Sequence, residues 1–184
     1  ALRHDAGLAA AKVNVFLRQL VEKSGGVATV GCIEFKPNAI NVIPSKAVFT
    51  VDLRNPDKEK LDNDEKILAA YLKDLAKEDD VKISTEHLTE FDPVPFDEGI
   101  VEKVEKAAKA HGLSVRRITS GAGQDAQMIA RICPTAMIFV PSVKGISHNP
   151  EEYTKDEDVL AGAGVFLDVV MDMAVVGVPA ARNN

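Results

Sequence analysis

A histidine beside two glutamates ends one of the most apolar stretches of the sequence. Residues 145–152 read GISHNPEE and follow ICPTAMIFVPS, so that His148 stands just beyond a predicted strand. An imidazole near carboxylates at the end of a strand suits a metal ligand or a general base. The alternative is a surface or core histidine bonded to backbone, with Glu151 and Glu152 forming an acidic entry to the next helix.

A second segment, SGAGQDAQ at residues 120–127, places small residues before a predicted helix. The backbone N–H groups of such a loop can approach a ligand beside a helix N-terminus. The alternative is a tight turn capped by Asp125. The segment has neither the GK[ST] of a Walker loop nor the GxGxxG spacing, so its pattern alone names no ligand.

A third group of polar residues surrounds two predicted strands. Asn41 lies in the irregular connection KPNAINVIPSK, and Arg54 ends the segment VDLR. A guanidinium offers two parallel N–H donors, so that with an amide beside it the pair suits a carboxylate clamp. The alternative is that Arg54 pairs with Asp52 or Asp57 at the surface while the asparagines serve turns.

The elements that must position these residues fall into two modules. The first module is predicted as a split β-α-β-β-α-β sandwich that lacks its first strand. Its expected order is a helix over 5–23, strands over 28–35 and 47–53, a charged helix from 55 to about 77, and a strand over 81–88.

The second module begins after the predicted linker FDPVPFD, residues 91–97. It should alternate helices with short apolar strands, a pattern typical of an α/β layer with a parallel sheet. The expected helices are 99–111, 125–131 and 155–176, and the expected strands are 114–118 and 134–140. The fold class is therefore α/β, with domains at 1–90 and 91–184.

Composition excludes several classes of partner. The net charge of −6 and the absence of Trp argue against nucleic acid, and no apolar run is long enough to span a membrane. Cys32 and Cys133 are expected to be buried free thiols rather than a disulfide, which favours a reducing, cytoplasmic compartment. Because a helical pattern starts almost at Ala1, the sequence is expected to be a piece of a longer chain.

Three stretches together resemble the amidase, hydantoinase/carbamoylase family of the M20 metallopeptidase group. They are RHDAGLAAAK, TVGCIEFKPNAINVIPSKAVFTVDLR and SGAGQDAQMIARICPTAMIFVPSVKGISHNPEEYT. The resemblance implies metal-dependent hydrolysis of the carbamoyl C–N bond of N-carbamoyl-L-amino acids. It also implies a catalytic α/β domain with a smaller lid that dimerises the protein. Residues 1–90 would be the partial lid, and 91–184 the C-terminal part of the catalytic domain.

The resemblance also implies roles for individual residues. His148 matches a metal ligand, Asn41 and Arg54 match the residues that hold the substrate carboxylate, and Gly123 lies in the loop that faces the substrate. Gln124 stands where the family usually has His, so it is a substrate-binding candidate whose role this departure leaves open. The implied cofactors are two divalent ions per intact subunit, Zn, Mn, Co or Ni, which this chain alone would not hold completely.

The family's general base and remaining metal ligands have no counterpart in this sequence, so we assign no catalytic residue to it. The chain alone should therefore be inactive. The alternatives are a non-catalytic fragment that gives dimerisation and carboxylate binding only, and an allantoate amidohydrolase or related M20 peptidase or aminoacylase. The expected partners are a small-molecule substrate with a carboxylate and a second copy of the chain, bound through the lid.

Overall fold

The computed structural model describes residues 3–176 and divides the chain into two units at the bond between Pro93 and Val94. This division falls inside the predicted linker 91–97. The first unit contains two helices and four short strands, and the second contains three α-helices and a 3₁₀ turn among the described residues.

Both helices of the first unit begin at an aspartate that caps them. Helix α1 spans Ala6–Ser24, and the Asp5 carboxylate accepts a hydrogen bond from the Leu8 N–H at 2.9 Å. Gly25 ends α1 in the left-handed conformation, φ 80°, which glycine adopts without steric cost. The second helix of this unit spans Lys58–Glu78, and Asp57 accepts from two N–H groups of its first turn. The two predicted helices are confirmed.

Two of the three strands predicted for the first unit, 28–35 and 47–53, are each divided in two. The strands are β1 Val27–Thr29, β2 Ile33–Lys36, β3 Lys46–Phe49 and β4 Asp52–Arg54. Strand β1 pairs antiparallel with β4, and β2 pairs antiparallel with β3. We call the helix that follows β4, Lys58–Glu78, α2.

A β-bulge separates the two ladders. The ladders end at the pairs Thr29–Asp52 and Ile33–Phe49, so residues 30–32 on one side face residues 50–51 on the other. The extra residue reverses the alternation of side chains on the bulged strand only. Ala28 before the bulge and Phe35 after it are consequently both half-buried, although one number is even and the other odd.

The core of the first unit lies between the helices and one face of these strands. Ala9, Val13, Leu17 and Leu75 are buried together, and half-buried residues of the strands and of α2 pack against them. Helix α1 contacts β1 and β3, and α2 contacts β4. The predicted alternation over 47–53 is confirmed, because Phe49, Val51 and Leu53 are half-buried while the residues between them are exposed.

In the second unit two long helices pack on each other. Helix α3 spans Glu98–Ala110, α4 Asp125–Ile129 and α5 Asp156–Val176, and residues 143–145 form a 3₁₀ turn. Helix α3 packs against α5, with Ala108, Val165 and Val169 buried. None of the described helices combines the length and the apolar character that crossing a membrane requires.

Three predicted strands are absent from residues 3–176. The segments 81–88, 114–118 and 134–140 join no ladder, so the prediction of strands there, and of a parallel sheet, is wrong for the described residues. A strand exists through hydrogen bonds to a neighbour, and none of these segments has a paired neighbour in the described part of the chain. Val81 and Ile83 still pack against the first core through their side chains.

Candidate functional site

Arg54 lies at the end of β4 and forms a two-point ion pair with Asp52. Its Nε donates to Asp52 Oδ1 at 2.7 Å and its Nη2 to Oδ2 at 2.5 Å. This bonding lowers the pKa of the Asp52 carboxyl below its ordinary value of 3.8 and raises that of Arg54. Both groups are therefore charged at neutral pH. The alternative in which Arg54 pairs with Asp52 is confirmed, and the pair is compatible with a clamp because a guanidinium has more than one donor edge.

Asn41 lies on an exposed loop between β2 and β3. The base of this loop is closed by Ser45, whose N–H and Oγ both donate to the Lys36 carbonyl, at 2.8 and 3.1 Å. At its tip Ile40 is fully exposed. Asn41 and Arg54 thus belong to the same unit, one on a projecting loop and the other on a strand end.

Gly123 and Gln124 lie at the turn that begins α4. Gln124 is the residue before the helix, and its N–H donates to Gln127 Oε1 at 3.3 Å. The alternative in which Asp125 caps this turn is wrong, because Asp125 is already the first residue of the helix. Among the described residues a side chain at Gly123 would meet only Gln127 Oε1, at 3.9 Å, so the backbone here is open to approach from them.

His148 occupies a strained position in an exposed turn. Its φ of 55° is in the left-handed region, which residues other than glycine seldom adopt. The His148 N–H donates to Glu152 Oε2 at 2.7 Å, and the Glu152 N–H donates to the Asn149 carbonyl at 2.9 Å. Glu152 therefore fixes the backbone of His148. The sequence signal for this contact is the position of Glu152, four residues after His148. The adjacent pair Glu151 and Glu152 had also suggested an acidic entry to the next helix.

The described residues do not form a complete metal site. Within residues 3–176 no group of three or more His, Cys, Asp or Glu side chains could hold a metal ion, and three protein ligands are typical of a catalytic zinc. His148 could supply one ligand.

The two cysteines are free but not buried. Cys32 and Cys133 are both exposed, which corrects the prediction of buried thiols. Cys32 lies in the bulge, and Cys133 follows α4, where its Sγ lies 3.7 Å from the Ile129 carbonyl. The apolar residues around each cysteine had suggested a position inside a sheet. Neither cysteine is part of a paired strand, so no sheet covers its side chain.

Comparison with known proteins identifies the family. The model of peptidase family M20/M25/M40 matches residues 5–172. The chain belongs to this family. Among M20 relatives, the N-carbamoyl-L-amino-acid amidohydrolase of Rhizobium meliloti is 40% identical over 175 residues, covering 94% of this chain and 42% of that protein. The allantoate amidohydrolase of Escherichia coli is 38% identical over 148 residues, covering 80% of this chain and 36% of that protein.

A solved M20 structure shows the same fold. The amidase of the hydantoinase/carbamoylase family from Burkholderia multivorans superposes with a TM-score of 0.87 at 38% identity, over 92% of this chain and 42% of that one. The α/β fold class and the family recognised from the sequence are both confirmed. The chain spans about two fifths of the length of the relatives it matches.

Proposed function

We propose that the protein containing this chain is a metal-dependent amidohydrolase that cleaves the carbamoyl C–N bond of N-carbamoyl-L-amino acids. The observation that carries this proposal is the 40% identity to the N-carbamoyl-L-amino-acid amidohydrolase of Rhizobium meliloti, across 94% of this chain. Hydrolysis of such a substrate adds water across the bond and yields the amino acid, ammonia and carbon dioxide. A second candidate substrate is allantoate, because an allantoate amidohydrolase is 38% identical.

Both candidate substrates carry a carboxylate next to a carbon that bears a carbamoylated nitrogen. Arg54 is suited to hold that carboxylate through two parallel N–H donors, and the Asn41 amide would add a donor beside it. The open backbone at Gly123 would face the substrate. Gln124 could donate or accept a hydrogen bond there, but it cannot ligate or titrate as an imidazole does.

The proposed cofactors are two divalent ions, Zn, Mn, Co or Ni, of which this chain would hold one through His148. We propose the first unit as the lid and the second as the C-terminal part of the catalytic domain. We also propose a cytoplasmic homodimer joined through the first unit. Each of its ladders is two strands wide among the described residues, so every strand has an unpaired edge, and such edges favour pairing with another chain.

The first test uses the product of the complete reading frame that encodes this chain. Its intact mass and metal content are measured on one sample, and ammonia release is followed with N-carbamoyl-L-amino acids and with allantoate. We expect turnover of the carbamoyl amino acids. Faster turnover of allantoate would favour the second candidate, and a metal-replete protein that releases no ammonia from either would refute the proposal.

His148 is tested separately by metal analysis. The His148→Ala variant should bind fewer metal ions per subunit than the unchanged protein, whereas a His111→Ala variant should bind the same number. Unchanged metal content in His148→Ala would refute the ligand assignment.

A further inference from the structure

Asp52 and Arg54 project from the same face of β4, because side chains two residues apart on a strand share a face. Asp52 lies opposite Thr29 and Arg54 opposite Val27 in the ladder with β1. The two side chains are about half exposed, 49% and 50%. Asp52 is thus one of the partners of Arg54, and its carboxylate accepts hydrogen bonds from the Nε–Nη2 edge of the guanidinium.

The backbone under Arg54 is held from two sides. A Cβ added at Gly26 would lie 2.6 Å from the Arg54 carbonyl oxygen, so a glycine is required for this close approach. The next residue, Asn55, is buried, and its Oδ1 accepts from the Asp57 N–H at 3.1 Å, just before α2. The end of β4, the close approach of Gly26 and the start of α2 therefore hold the backbone at Arg54 in place.

We propose that Asp52 is a positioning residue that orients the Arg54 guanidinium for the substrate carboxylate. This inference rests on the proposed role of Arg54. Asp52 accepts two hydrogen bonds along the Nε–Nη2 edge, which restrains the plane of the guanidinium. An arginine side chain restrained in advance loses less conformational entropy when the ligand binds. The lowered pKa of Asp52 keeps it charged in this role throughout the neutral range.

If Asp52 competes with the substrate rather than positioning Arg54, its removal should change substrate affinity in the opposite direction. Removing its charge would then weaken the bonds at the Nε–Nη2 edge, and the substrate carboxylate would bind more tightly. A change in KM or Kd therefore decides between positioning and competition by its direction.

The test compares Asp52→Asn with Asp52→Glu in the product of the complete reading frame. We expect Asp52→Asn to raise KM for an N-carbamoyl-L-amino acid about tenfold while kcat changes less than about twofold, because orientation of a carboxylate clamp affects binding. Asp52→Glu, which keeps the charge, should recover part of the loss. The control is Asp62→Asn, which removes another exposed carboxylate that pairs with a cation, Lys58.

Direct binding separates this inference from the proposed function. Calorimetry with N-carbamoylglycine and with its neutral amide, N-carbamoylglycinamide, should show Asp52→Asn weakening only the acid, by about tenfold. An equal effect on both ligands, no effect, or tighter binding of the acid would overturn the inference. Binding of the acid without turnover would refute the proposed function alone. If the unchanged protein does not bind the acid, the roles of Arg54 and Asp52 both fail.

Discussion

The ring of Phe16 on α1 lies flat against the ring of Tyr71 on α2, with centroids 3.7 Å apart and planes 1° from parallel. Both residues are half-buried, and Tyr71 packs against the buried residues of the first core. A face-to-face arrangement is not the one that ring quadrupoles prefer, so its contribution comes mainly from the apolar area that the rings bury. The pair joins the two helices beside the buried cluster of Ala9, Val13, Leu17 and Leu75.

Removing the Phe16 ring should change the ionisation of Tyr71. Burial raises the pKa of Tyr71 above its ordinary value of 10.0, so Phe16→Ala should lower the pKa by admitting water. Tyr71 and Tyr153 are the two tyrosines of the chain. In a Tyr153→Phe background, Tyr71 is therefore the one tyrosine of this chain that an absorbance titration detects. Val15→Ala, at the exposed neighbouring position, is the control. An unchanged midpoint in Phe16→Ala would contradict the stacking.

Asp64 should be a site where removing a charge stabilises the protein. This residue of α2 is 1% exposed, and neither of its carboxylate oxygens has a hydrogen-bond partner among the described residues. Because an unpaired buried carboxylate is costly, Asp64→Asn should raise the free energy of unfolding by about 1 kcal/mol or more. Urea denaturation measures the change, with the exposed Asp74→Asn as control. A loss of stability in Asp64→Asn would show that the charge is needed.

Glu105 should give the second unit a pH-dependent contribution to stability. Hydrogen bonds from Lys109 and then Arg117 lower the pKa of Glu105 below its ordinary value of 4.5. Since the folded-state pKa is lowered, the contribution is complete above pH 4.5 and is lost as pH falls through the folded-state value. The difference in melting temperature between the unchanged protein and Glu105→Gln should therefore shrink on acidification. Glu102→Gln on the same helix should show no such trend.

Arg54→Lys should weaken substrate binding in the product of the complete reading frame. A lysine retains the charge but cannot form two parallel bonds to a carboxylate. We expect KM for an N-carbamoyl-L-amino acid to rise about tenfold or more, whereas Arg18→Lys, on the surface of α1, should leave it unchanged. An unaltered KM in Arg54→Lys would remove Arg54 from the clamp.

Gln124→His should raise activity if the glutamine has replaced a working imidazole. An imidazole can ligate or transfer a proton, which an amide cannot, so kcat/KM should rise about tenfold or more. Met128→His, which adds an imidazole at an exposed position of α4, controls for a nonspecific effect. Equal activity in Gln124→His and the unchanged protein would identify the glutamine as a neutral difference.

Much of the first unit could be predicted because its signals are local. Asp5 and Asp57 precede runs of helical periodicity, and each does cap a helix. The bulge at residues 30–32 could not be predicted, because it depends on which residues of two distant strands face each other. The apolar segment 134–140 shows the same limit, since its composition suits a strand but no described segment pairs with it.

The candidate site shows where sequence information ends. The sequence by itself identified the family and singled out Asn41, Arg54 and His148. Motif resemblance depends on the order of residue types, and the chemistry of a side chain depends on its type, so neither requires knowledge of the fold. The sequence left open whether Arg54 bonds Asp52 and whether Glu152 bonds the His148 backbone, and it did not indicate the left-handed conformation of His148. Only the tertiary structure decided these points, because a hydrogen bond depends on side-chain direction and distance, which the folded backbone sets.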